Sequence, residues 1–178
     1  MAYPSPLSST LYEFSQLKGD VDSSSERSQK QRDVFETYND LIAIIQTQLK
    51  ELLHLAGHIF IEYQIGKTQL KADAIVLYRG LVFVVVFRSG ESAYRQVDIE
   101  LAQQLAFALK EHHQPSHDKF IVPVVLSKHS APQGSEIHVS PNGVFNTILD
   151  NGDNFAALLE HFANQFKADE IDSGEWES

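Results

Sequence analysis

An α/β fold, with helices on both sides of a mixed sheet, is what this sequence predicts, on three observations. Residues 31–57, "QRDVFETYNDLIAIIQTQLKELLHLAG", repeat apolar side chains at helical spacing. Three strand-like runs follow in close succession, and the last of them, "LVFVVVF", has almost no polar residue. A second helical pattern then leads into another apolar run, "KFIVPVVLS". Strands interleaved with amphipathic helices in one chain bury best as a layered α/β sandwich.

Each element has its own signature. Residues 1–30 are rich in serine and read as a polar extension, with a peripheral turn or short helix at "LYEFSQL" and a linker after it. In the first long helix, Val34, Tyr38, Leu41, Ile45, Leu49 and Leu52 form the inward stripe, and Gly57 is placed to stop it. "HIFIEYQI" alternates as a strand does, and "GKTQ" turns the chain. "KADAIVLY" and "LVFVVVF" are joined at Arg79-Gly80, a tight-turn signal. The missing alternation in the second of these predicts a central strand covered on both faces. Residues 93–113 read as a helix, and "KFIVPVVLS" as a buried strand despite Pro123. "SEIHVS" reads as a short edge strand before a turn at Pro141-Asn142-Gly143, and "NFAALLEHFANQF" as the closing helix. The expected sheet has four to five strands flanked by helices, within a domain of residues 31–167. Residues 168–178 read as an acidic linker whose Trp176 is exposed.

At 178 residues the chain is long enough to bury one substantial core. It has no cysteine, which excludes disulfides and thiolate metal sites. It shows no cationic and apolar leader and no apolar run long enough to cross a bilayer, so a cytoplasmic protein without membrane contact is expected. The net charge of −10 argues against phosphate contacts, which need lysine and arginine. Its distribution is uneven, however. Residues 168–178 carry five acids and no base, whereas residues 58–130 carry seven acids against eight lysines and arginines.

The element order, together with "IEYQI" (61–65), "KADAIVL" (71–77), "VVVFRSG" (84–90), "LAQQLAFALKEHHQPSH" (101–117) and "FIVPVVLS" (120–127), resembles the PD-(D/E)XK nuclease superfamily. More narrowly, it is similar to the N-terminal nuclease-like domain of bacterial Schlafen-related helicase-like ATPases, over about 110 residues from Ile59. The resemblance implies a restriction-endonuclease-like fold and a role in DNA or RNA processing. It also implies an ATPase or helicase domain C-terminal to this chain.

In active members of that superfamily an Asp, and the Glu of a Glu-x-Lys, hold Mg²⁺ or Mn²⁺, and the Lys assists the attacking water. Oxygen donors suit such hard cations, and the metal acidifies its bound water. Asp73 matches the first position, but Val86 stands where the Glu belongs and Arg88 where the Lys belongs. Valine ligates nothing, and arginine stays protonated, so it cannot act as a base. Direct carry-over therefore gives a broken site, with Asp73 paired to Arg88 or Lys71, or capping a turn. A rebuilt site would use Asp73 with Glu62 as metal ligands, helped by Glu36 or Glu51. Gln103, with Phe107 four residues on, resembles a Gln-x-x-x-Tyr feature of some members.

His113 and His117 are four apart, but Pro115 interrupts any helix between them, so a helix cap is the better reading than a zinc face. No phosphate-binding GxxxxGK[ST] loop is present. Three functions remain open from sequence. The first is a catalytically degenerate nuclease-fold module that binds or positions partners in nucleic-acid processing. The second is an active Mg- or Mn-dependent nuclease with a rearranged site. The third is a protein-interaction or dimerisation domain with no nucleic-acid role.

Overall fold

The computed structural model describes residues 7–16, 33–34, 36–52, 57–65, 68–89, 94–112, 116–130, 137–166, 171 and 176. In chain order the elements are β1 (Leu7–Thr10), α1 (Leu11–Gln16), α2 (Asn39–Leu49), β2 (His58–Gln64), β3 (Lys71–Tyr78), β4 (Leu81–Arg88), α3 (Gln96–His112), β5 (Phe120–Ser127), β6 (Ile148–Asp150) and α4 (Phe155–Phe166). The six strands lie side by side in sequence order, β1 to β4 antiparallel and β4 to β6 parallel.

The hairpin β3–β4 forms where the sequence places it. Arg79 and Gly80 both take positive φ, 50° and 81°, and Tyr78 pairs with Leu81 across them. Two such residues make the I′-type connection whose twist matches that of the strands it joins. In β4, Leu81, Phe83 and Val85 face one core, and Val82, Val84 and Val86 face the other. The strand is therefore covered on both sides, as its lack of alternation predicts. α1, α2 and α4 cover the first face, and α3 covers the second.

The sheet has six strands, not four to five, and the extra ones sit at its edges. β1 and α1 lie in the segment read as a polar extension. They belong to the fold: β1 pairs with β2, and Leu11 and Phe14 are fully buried. The Thr10 hydroxyl accepts the Glu13 amide as an N-cap, and Leu11 donates to the Gly57 carbonyl. A Cβ on Gly57 would lie 2.2 Å from the Leu77 carbonyl oxygen, so the glycine is required for close approach and does not serve as a helix stop. α2 ends earlier, at Leu49, though the stripe from Val34 to Leu52 is buried as expected, with Tyr38 partly so. Where an edge strand was expected at residues 135–140, the first two lie outside the described residues, and among the described ones a single bridge joins Val139 to Phe145 while the pairing passes to β6.

Within residues 168–178 the structure describes Ile171 and Trp176, and neither is placed as the linker reading expects. Trp176, expected to be exposed, is fully buried on the α3 face, and Ile171 packs against the same cluster. A large apolar ring gains far more from an open seat in a core than from solvent, and its acidic neighbours carry the solubility. No helix among the described residues is long and apolar enough to cross a membrane.

Candidate functional site

The site is built where the β2–β3 ribbon rolls over. Residues two apart in a regular strand face the same side. Ile61 and Tyr63 do not: Ile61 lies in the α2/α4 core and Tyr63 in the α3 core. Their partners behave alike, with Ala74 in the first core and Ala72 in the second. Between them stand Glu62 and Asp73, the one position in the paired stretch where the register is interrupted. Glu62 has a φ of 57°, a left-handed conformation disfavoured for a residue with a side chain. The roll turns both carboxylates out of the regular strand pattern, and each remains partly accessible, 32% for Glu62 and 23% for Asp73.

Asp73 is held by three groups and faces one like charge. β3 and β4 stay paired up to Ala74–Val85 and then part, which would leave the Phe87 amide without a strand partner. Asp73 Oδ2 accepts that amide at 2.8 Å, so the carboxylate replaces a ladder carbonyl. The same oxygen lies 3.5 Å from Arg88 Nη1. The Tyr38 hydroxyl, at the entry to α2, also donates to the carboxylate. Glu62 adds negative potential across the ribbon. Burial is the largest influence on Asp73 and lifts its pKa above the ordinary carboxylate value; the Phe87 amide, Arg88 and Tyr38 pull it down. Tyr38 is pushed above the usual phenol range, first by burial and then by the charges of Asp73 and Glu62.

Arg88 is the hub of a charged chain. Its Nε donates to Asp98 Oδ1 at 2.9 Å, and its Nη1 donates to its neighbour's carbonyl, Phe87 O, at 2.7 Å. Asp98, 3% exposed in the first turn of α3, also receives Arg95 Nε at 3.1 Å. Two cations thus meet a carboxylate that is nearly sealed from water, where such pairs are strongest once fully hydrogen-bonded. The expected partner of Asp73 is Arg88 and not Lys71, which lies 3.8 Å from Glu62 instead. An open cleft of about 480 Å³ runs alongside, walled by Glu36, Tyr38, Asp40, Phe87, Arg88 and Ser89. Asp73 sits behind this wall and does not line it.

The register extrapolates to Val86 across from Asp73, since Ala74 faces Val85. Val86 is 1% exposed and belongs to the α3 core. The donor set does not fit a resident divalent cation: two carboxylates, each already beside a cation, with a buried valine at the third position. Among the described residues no three His, Asp or Glu side chains come together as a metal-holding group.

Of the residues singled out from sequence, Asp73 and Arg88 are brought together, and Glu62 stands beside them. Glu36 is on the cleft wall, while Glu51 lies beyond the far end of α2. Gln103 is not part of the site. Pro123 in β5 has no N–H to give Phe145, the ladder carbonyl it would otherwise serve, and Gln103 Nε2 donates to that oxygen at 3.3 Å. Its Oε1 accepts from Thr147. Gln103 therefore patches the sheet. His117 is exposed, and Lys110 Nζ donates to its carbonyl at 3.1 Å; His113 lies outside the described residues. Sequence reasoning missed Tyr38 as a site residue, and Asp98 with Arg95. Only the i,i+3 spacing of Arg95 and Asp98 at a helix start offered a signal for the last two. Comparison with known proteins adds no relative: no protein-family model and no curated protein matches the sequence.

Proposed function

We propose that this chain is a degenerate nuclease-fold module, of restriction-endonuclease-like type, that binds or positions partners in nucleic-acid processing without hydrolysing them. Support for the fold type comes from the order of α2, three antiparallel strands, α3 and a parallel strand, with Asp73 and position 86 facing each other at the point where β3 and β4 part. One observation carries the absence of chemistry: the residue across from Asp73 is a buried valine, and the cation two residues on is tied to Asp73 and Asp98. Valine supplies no third oxygen donor and arginine stays protonated, which supports the reading that the arrangement does not activate water. A cytoplasmic setting and a following ATPase or helicase domain belong to the same proposal.

A second reading, a protein-interaction or dimerisation domain with no nucleic-acid role, is favoured by the net charge of −10. Calorimetric titration of Mn²⁺ into the wild type and Asp73→Asn tests the absence of chemistry. The expected result is no specific binding to either and no divalent-dependent cleavage of DNA or RNA. Binding and cleavage that both vanish in Asp73→Asn would establish instead an active nuclease using Asp73 and Glu62. Salt-dependent retention of DNA or RNA separates the two non-catalytic readings, because counterion release makes phosphate contacts salt-sensitive.

A further inference from the structure

Trp176 is the only tryptophan in the chain and is fully buried. Its ring lies 6.3 Å from that of Tyr63, which in turn meets Phe60 edge-on at 5.3 Å. The last helix before it among the described residues, α4, belongs to the opposite face of the sheet. After α4 the described residues Ile171 and Trp176 lie with the α3-face cluster. Five acids are interspersed with these two in the sequence of residues 168–178. A segment of that composition has little besides the indole and the isoleucine to hold it to a core.

The position of the seat matters. Tyr63 and Ala72 are cross-strand partners immediately beyond the Glu62–Asp73 pair, and they face α3 because the ribbon rolls at that pair. The roll requires a disfavoured backbone conformation at Glu62. Burial of Tyr63 and Ala72 on the α3 face accompanies that conformation, and Trp176 belongs to the same cluster, its ring 6.3 Å from that of Tyr63.

We propose that Trp176 is a latch: its seating against Tyr63 holds the roll at Glu62 and Asp73, and so couples the C-terminal segment to the carboxylate site. This rests on the geometry of the ribbon and not on what the site binds, so it stands or falls separately from the proposed function. The coupling is an energy shared between two places, and it must act in both directions.

Amide hydrogen exchange on the full chain tests it. In Trp176→Ala, exchange at Glu62, Tyr63, Ala72 and Asp73 is expected to quicken by about tenfold or more, as a local opening, while Val84 and Val124 keep their protection. Trp176→Phe, which refills the seat with a ring, is expected to recover most of the protection. In the other direction, Tyr63→Ala is expected to raise acrylamide quenching of the lone tryptophan severalfold. Equal acceleration at all these amides would make Trp176 an ordinary core residue and overturn the latch. So would unchanged exchange at the roll, or quenching that does not respond to Tyr63→Ala.

Discussion

Asp73 does the work of a backbone carbonyl, and its variants should separate that role from its charge. Asp73→Ala leaves the Phe87 amide without its acceptor, a loss of about 1–3 kcal/mol in denaturant unfolding. Asp73→Asn keeps an oxygen for that amide and gives up the charge that Arg88 and Tyr38 face, while Arg88 retains Asp98. It should stay within about 1 kcal/mol of the wild type at neutral pH. The two proteins should also differ in pH dependence. Because burial raises the Asp73 pKa, the folded state holds this proton more tightly than the unfolded state. The contribution of Asp73 therefore favours folding at low pH and is lost as pH rises from the ordinary carboxylate range through the folded value. Unfolding measured across that window should show this downward component in the wild type and lack it in Asp73→Asn. Gln103 offers a parallel case. Gln103→Ala removes the donor that Pro123 cannot supply, and stability should fall by about 1–2 kcal/mol, with the pairing around Phe145 affected first.

Among the elements, the hairpin and the central strand test how closely local sequence meets local geometry. Arg79 holds a positive φ that asparagine adopts more readily, so Arg79→Asn should raise stability by about 0.5–1 kcal/mol in thermal unfolding. Rebuilding an acidic position across from Asp73 should fail for a structural reason. Val86→Glu would bury a carboxylate in the α3 core without a partner, and a loss of about 3 kcal/mol or more is expected in chemical denaturation. These cases also show what was legible in the sequence. β3, β4 and β5 announce themselves because a strand buried on two faces must be apolar throughout, and α4 because its stripe keeps helical period. β1 and β6 are short edge strands of four and three residues, and their pairing depends on partners far along the chain. The pairing of Asp73 with Arg88 was one of three readings the sequence left open, beside Lys71 and a turn cap. The roll at Glu62 was not, because it arises from which core Tyr63 enters.

For the molecule as a whole, charge and connectivity set the behaviour. A net charge of −10 on a small domain repels itself, and salt screens that repulsion. Thermal stability should therefore rise as ionic strength goes from low to physiological, a shift readable in calorimetric scans. The two cores also differ in how they are completed. The α2/α4 core is closed by α4, which ends at Phe166. The α3 core lacks its largest side chain until residue 176. A ribosome adding about 5–20 residues per second makes that interval brief but real. During it the nascent chain presents Phe60 and Tyr63, the aromatic seat of Trp176, while the rest of the sheet is already synthesised. The order of synthesis thus places the largest side chain of the α3 core after the helix that closes the other core.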